Sequence, residues 1–233
     1  MIKKADIGII GAMDAEVEGL IGRLAGHKCE TVGGVELHTG EIFGKKIVLT
    51  RSGVGKVFAS LAAEAMIIAY APSIIVNTGV GGTLASGLST GDVVIATSLV
   101  QHDMDTSPLG DPKGLVSGIN KIYFDTDQRA VKILSEAAGE LGISAVLGRV
   151  ASGDKFVASK EEKTRIVSDF SASACEMEGA AIAQVAYVNN TPCAVIRAIS
   201  DSADGEASMD YPTFLPLAVK SSLSLTLALI ERY

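Results

Sequence analysis

Residues 57–79 read VFASLAAEAMIIAYAPSIIVNTG, and the order of the two halves decides the fold. From Val57 to Tyr70 the Ala-rich segment has helical period and halts before Pro72, whose ring disfavours a helical residue ahead of it. SIIVNTG then forms a short apolar run closed by glycines 79, 81 and 82, the pattern of a strand buried on both faces. A helix delivering such a strand predicts a parallel sheet covered on both sides.

The flanking sequence repeats this alternation. DIGIIG at 6–11 is a β-branched run stopped by Gly11, and Asp14 opens a helical stretch with Val17, Leu20, Ile21 and Leu24 on one side. GGVELHTGEIFGKKIVLTR at 33–51 alternates apolar and polar residues around Gly44, as a two-stranded antiparallel hairpin does. GDVVIATS at 91–98 is a further strand, followed by an irregular segment from Leu99 to Tyr123 containing Pro108 and Pro112. A loop of that length is usually functional or interfacial. The second half predicts a helix over 125–141, a strand near 144–152, a helix near 159–168, a strand near 172–177 and a helix over 179–188. CAVIRAIS at 193–200 is then a buried strand, and Tyr211 to Arg232 a long closing helix. The expectation is a three-layer α/β/α sandwich with a mixed central sheet, in one domain spanning 1–233.

Composition narrows the partners. The 233 residues are 48% hydrophobic and 20% charged, with a formal charge of -7, so the chain can bury a core, and its acidic balance repels phosphate backbones and anionic lipid heads. Neither nucleic acid nor membrane is expected as a partner. No apolar stretch is expected to reach the roughly 18 residues of a membrane span, and Asp6 and Asp14 break up the N-terminal region. Three scattered cysteines, Cys29, Cys175 and Cys193, without a CxxC pair, suit a reducing compartment, with the cytoplasm the expected location.

In such folds ligands sit at the carboxyl ends of the strands, so the loops after Gly11, Thr78, Ser152, Cys175 and Ile199 are where chemistry belongs. They carry Glu16, the Gly79–Gly82 turn, Asp154 and Phe156, Glu176-Met177-Glu178, and Arg197 with Ser200-Asp201. Carboxylates crowded on one rim raise each other's pKa, which can keep one protonated near neutrality as a general acid. Plainer readings stand beside this. Glu16 in a first helical turn is favoured by the helix dipole, and Asp201 after a strand can cap a turn. Glu176 and Glu178 share a face only if the segment is extended, and Glu178 as a helix N-terminal acid with Met177 as a core plug explains them equally. The glycines fit neither GxGxxG nor GxxxxGK[ST], so dinucleotide and P-loop readings lack support. His102, Asp103 and Asp105 offer a single imidazole, and a solvated loop is the simpler reading than a metal site. Lys160 to Lys163 read as an exposed helix face. No cofactor and no metal are expected.

Taken together, six segments resemble one family. IGIIGAMDAEVE at 7–18, SGVGK at 52–56, NTGVGG at 77–82, SGDKF at 152–156, CEMEGAAIA at 175–183 and RAISDSAD at 197–204 resemble, in this order and nearly end to end, the 5'-methylthioadenosine/S-adenosylhomocysteine nucleosidases of the nucleoside phosphorylase superfamily. The resemblance implies that Glu16, helped by Arg197, activates a water, and that Asp201, positioned by Ser200, supplies a proton to adenine N7. It implies that Glu178 grips the ribose hydroxyls and that Met13, Val54, Met177 and Tyr211 line the ribose and alkylthio side. Val80 and Gly81 would belong to the ribose wall, Phe156 would stack on adenine, the Val157 backbone would read the base edge, and Glu176 would sit in the outer part of the site. The substrates implied are small adenine nucleosides. A homodimer is implied too, with the Leu99–Tyr123 loop at the contact. Three positions depart from the family's pattern: Val80 stands where well-known bacterial members carry serine, Tyr211 replaces a Phe, and Leu109 replaces an aromatic that reaches the neighbouring subunit's pocket.

The chemistry explains why such residues are wanted. Cleaving an N-glycosidic bond builds oxocarbenium character on the sugar and negative charge on the purine, so the leaving group needs a proton and the opposite face a nucleophile. An aspartate of ordinary pKa, about 3.9, costs roughly 4 kcal/mol to keep protonated at pH 7. The site must therefore assist. A phosphorylase of the same superfamily would need a cationic or amide-lined phosphate site where this chain places Asp14 and Glu16, and those carboxylates repel a dianion. A noncatalytic binder would turn Asp201 or Glu16 away from the pocket.

Overall fold

The structure, a computed structural model, describes residues 3–203 and 207–233; Asp204, last in the RAISDSAD segment, lies outside them. The chain runs β1 (Ile7–Gly11), α1 (Asp14–Ile21), β2 (Ala25–Val32), β3 (Val35–Ile42), β4 (Lys45–Arg51), α2 (Lys56–Tyr70) and β5 (Ile74–Thr83). It continues through β6 (Val93–Gln101), β7 (Phe124–Asp125), α3 (Gln128–Leu141), β8 (Ala145–Ser152), α4 (Lys160–Phe170), β9 (Ala174–Glu176), α5 (Gly179–Val188), β10 (Cys193–Asp201) and α6 (Ala207–Arg232).

One sheet takes all the strands in the order β10-β6-β8-β9-β5-β1-β4-β3-β2, with β7 on β6 and a further pairing of β10 with β5. That last pairing closes half of the sheet on itself, while the β1-β4-β3-β2 half stays open. β1 lies parallel between β4 and β5, and β10 runs parallel to β5 but antiparallel to β6, so the sheet is mixed, as expected. Side chains of α1, α3 and α6 pack with β1, β5 and β10 into one core, and α2 and α5 cover the opposite side. Every residue of β1, β5 and β10 is buried, which is why their sequence shows no alternation.

Three expectations need correction. Ala25–Val32 is a strand, although its residues 25–29 are all exposed; an edge strand with both faces in water carries no hydrophobic period to read. β6 runs on to Gln101, and a 3-10 turn at Ser107–Leu109 interrupts the loop that follows. The closing helix starts at Ala207 and contains Pro212 and Pro216. Within it Tyr211–Arg232 is, by length and composition, apolar enough to cross a membrane, contrary to the reading that no stretch reaches that length. Its Ala218, Leu225, Leu229 and Ile230 are buried in the core beneath the sheet, so packing accounts for part of that apolarity, a third of the segment being buried.

Candidate active site

A cavity of about 390 Å³ opens at the ends of β1, β5, β8, β9 and β10. Thirteen of the fourteen residues singled out from the sequence line it. Met13, Val54, Phe156, Val157 and Met177 come from loops, Tyr211 from α6, and Val80, Gly81, Glu176, Ser200 and Asp201 from strands, with Glu16 in the first turn of α1 and Glu178 at the N-cap of α5. The exception is Arg197, which lies behind the wall.

Glu16 sits in the first turn of α1 and is 6% exposed. Its Oε2 accepts from the Ala12 and Met13 N–H groups at 2.7 and 3.1 Å, and its Oε1 from Val80 N–H at 3.1 Å. The helix-capping reading and the site reading therefore both apply: the side chain satisfies N-terminal amides and still faces the cavity. Burial raises its pKa above the usual carboxylate range, against the Arg197 field and the three amides. An ionised glutamate of raised basicity suits a general base. Close approach explains two glycines. A Cβ on Gly79 would lie 2.5 Å from Glu16 Oε1, and one on Gly82 2.6 Å from Asp201 Oδ1.

Asp201 reaches the cavity by way of a backbone irregularity. In regular β structure Ser200 and Asp201 would point to opposite faces, yet both line the cavity. The register between β10 and β5 shifts between Ile199 and Asp201, with Ile199 opposite Gly81 and Asp201 opposite Gly82; such a bulge re-aims a side chain at a site. The carboxyl is then held by Ser200 Oγ on Oδ2 at 2.8 Å and by Ala203 N–H on Oδ1 at 2.9 Å.

Arg197 and Glu176 differ most from expectation. Arg197 is 1% exposed, and its Nε donates to Glu176 Oε2 at 3.1 Å, with Nη2 also on that oxygen and on Asn77 Oδ1. Its partner is thus Glu176, and Glu16 feels it only as a field. Glu176 belongs to the inner wall rather than the outer site. Its Oε2 also accepts from the Glu178 and Gly179 N–H groups at 3.0 and 2.7 Å, capping α5, while Oε1 takes the Ser152 hydroxyl. Despite burial, the guanidinium and these donors hold the Glu176 carboxyl below its ordinary range. Asn77 and Ser152, which complete this network, escaped the sequence reading; a lone polar residue near the end of an apolar strand was the available signal.

With Glu176 capping α5, Glu178 is released toward the cavity, where Oε1 accepts from Gly55 N–H at 2.8 Å. Burial, and then the Glu176 charge, push its pKa up to about 7, so the like-charge effect expected of this rim operates here. Burial, and then the charges of Glu16, Asp201 and Glu178, raise the Tyr211 phenol to about 12, leaving a neutral hydroxyl that donates to Met13 Sδ at 3.0 Å. Phe156, 43% exposed, meets the Tyr211 ring edge to face at 5.8 Å and presents an uncovered aromatic surface at the mouth. Burial pushes up the pKa of Cys175, also in the wall, so it stays a neutral thiol.

Of the residues weighed as metal ligands, Asp103 and Asp105 accept hydrogen bonds from within the chain. His102 is 3% exposed rather than solvated, and Asp103 takes Lys56 Nζ at 2.6 Å and Asp154 N–H at 2.9 Å, bracing the 153–155 loop against α2. Lys163 is not merely a surface charge, because its Nζ donates to the Ser202 carbonyl at 2.7 Å beside Asp201.

Comparison with known proteins agrees with this geometry. The family model described as the phosphorylase superfamily matches residues 6–231. The 5'-methylthioadenosine/S-adenosylhomocysteine nucleosidase of Haemophilus influenzae (strain PittEE) is 40% identical over 227 residues, covering 97% of this chain and 99% of that one. The crystal structure of the Neisseria meningitidis nucleosidase of the same name, in complex with methylthio-immucillin-A, superposes with a TM-score of 0.94 at 36% identity, over 97% of this chain and 99% of that one. The native structure of a Helicobacter pylori futalosine hydrolase gives 0.93 at 36% identity, over 100% and 99%. With likeness of this extent over the whole length, the chain belongs to the phosphorylase superfamily and, within it, to the family of 5'-methylthioadenosine/S-adenosylhomocysteine nucleosidases.

Proposed function

We propose that this chain hydrolyses the N-glycosidic bond of 5'-methylthioadenosine and S-adenosylhomocysteine, with Asp201 as the acid toward adenine N7, Glu16 as the base toward water and Glu178 holding the ribose hydroxyls. The observation that carries the reading is the placement of Glu16 and Asp201 on one cavity, each locked by its own backbone donors. Phe156 and Val157 offer an apolar place for the base, and Met13, Val54 and Tyr211 a thioether-compatible one for the 5' substituent. As the bond breaks, Asp201 delivers a proton to the departing purine, while the water polarised by Glu16 closes on the cationic anomeric carbon. Arg197 acts behind these groups as a positioning residue: it offsets the charge of Glu176 and so lets three other acids share the cavity.

Hydrolysis is favoured over phosphorolysis because a phosphate dianion would enter among four acids. Among the described residues the only buried cation is Arg197, and it is engaged by Glu176. Purified protein is expected to release adenine from methylthioadenosine equally fast with and without phosphate, read by ultraviolet absorbance; strict phosphate dependence would overturn the proposal.

Glu178 must be ionised to accept two hydroxyls. Its pKa of about 7 in the folded chain lies above the ordinary carboxylate value, so the charged form is lost as pH falls through that region. The value of kcat/KM is therefore expected to drop below about pH 7, chiefly through KM. The same raised pKa makes ionisation a cost to folding that grows from pH 4.5 to 7, so Glu178→Gln should bind ribose poorly yet stabilise the fold above pH 7, by about 3 kcal/mol at most. A flat profile from pH 5.5 to 8.5 would contradict this role.

A homodimer is part of the proposal. Val57, Phe58 and Leu61 on α2 are 70%, 57% and 52% exposed, and Leu109 in the long loop is 84% exposed. Val54, on the same segment as the α2 residues, lines the cavity, so a second copy covering this apolar face would also shield the site's rim. Sedimentation at the dimer mass is expected, and a fully active monomer would count against it.

A further inference from the structure

Two of the chain's three histidines and its one exposed cysteine meet on a single face of the edge hairpin. Strands β2 and β3 are antiparallel, with Cys29 directly opposite His38 and Thr31 opposite Glu36. Side chains two apart along a strand share a face, as do directly opposed residues, which gathers Cys29, Glu36 and His38 on one side. Leu37, between the last two, is buried against α2 on the other side. Glu30, next to Cys29, is held by Lys3 and Tyr70 and takes no part. One ligand atom from each of Cys29, Glu36 and His38 lies within 4.8 Å of the other two.

We propose that Cys29 Sγ, a Glu36 carboxylate oxygen and His38 Nε2 form a binding site for a divalent zinc-class ion, remote from the catalytic cavity, with His27 as the residue that orients His38. The His38 ring decides between its nitrogens. Nε2 faces Glu36 Oε1 at 3.1 Å, on the side of the other two ligands. Nδ1 lies 2.9 Å from His27 Nε2, and the two rings stack with centroids 5.2 Å apart. A ligating histidine commonly directs its second ring nitrogen to a hydrogen-bond partner, which fixes its tautomer and aim, and His27 fills that position. Zinc holds thiolate, imidazole and carboxylate donors at about 2.0–2.3 Å, hence roughly 3.3–3.8 Å from one another. Lying within 4.8 Å of one another, the ligand atoms need to close by at most about 1 Å to reach this. Three protein ligands leave a fourth position to water, and a thiolate with an imidazole selects zinc-like ions over calcium or magnesium. None of the four residues lines the catalytic cavity.

The test is zinc titration of the reduced, chelator-stripped full chain by calorimetry, repeated with cobalt(II) and followed by absorbance. One equivalent of zinc is expected per chain, with a thiolate-to-cobalt charge-transfer band. Because Cys175 and Cys193 are buried, that band reports Cys29. Cys29→Ser should abolish the band and, like His38→Ala, weaken zinc binding by about 10–100-fold; His27→Ala should weaken it by about 10-fold and keep the band. All three variants should release adenine at the unaltered rate, which serves as the folding control. Absence of saturable zinc binding, or binding unchanged in Cys29→Ser and His38→Ala, would overturn the proposal and leave these contacts as a surface hydrogen-bond network.

Discussion

Replacing Asp201 with Asn is expected to lower kcat for methylthioadenosine by about 10²–10⁴-fold, the usual contribution of a placed general acid, with KM little changed. The amide keeps the size of the carboxyl and can still accept from Ala203 N–H and pair with Ser200 Oγ, both of which hold Asp201. It has no proton to deliver to the purine. Steady-state kinetics with adenine detection give the answer, and near-normal kcat would refute the assignment.

The second large effect concerns stability. Arg197→Met should cost about 3–5 kcal/mol, because it leaves Glu176, whose side chain is 2% exposed, as an unpaired buried charge. Glu178 and Glu16 lose the same compensating field. For a chain of this size the loss corresponds to a Tm lower by about 6–20 °C. Without the guanidinium, the pKa values of the glutamates rise further in the folded state, so the deficit should be largest near pH 8 and shrink toward pH 5.5, where protonation removes the charge. Thermal unfolding of both proteins at the two pH values measures this. An unchanged Tm at pH 8 would show that the buried network matters less than its geometry implies.

Much of this molecule was legible because its decisive strands are buried on both faces. β1, β5 and β10 declare themselves as unbroken apolar runs, and their ends put Glu16, Gly79–Gly82 and Asp201 at one edge of the sheet. The Ala25–Val32 strand was not legible, since with residues 25–29 wholly exposed no apolar period marks it. Nor was the bulge before Asp201, which depends on pairing with β5 and changes the direction of one side chain. The pairing of Arg197 with Glu176 spans 21 residues and two strands. Charge type alone placed both near the cavity, but which of four acids the guanidinium meets is a matter of packing. The caps divide in the same way: Glu16 both caps and faces the cavity, whereas at the next acidic pair Glu176 takes the helix end and leaves Glu178 for the ligand.

The central claim is a division of labour, with one acid serving the leaving group and another the water. It is tested most directly by giving the Asp201→Asn protein a 5-methylthioriboside whose leaving group is 4-nitrophenolate, which departs without a proton. The account predicts that this variant regains nearly wild-type kcat on that substrate while Glu16→Gln stays impaired. An Asp201→Asn protein as defective on the nitrophenyl riboside as on methylthioadenosine would contradict it.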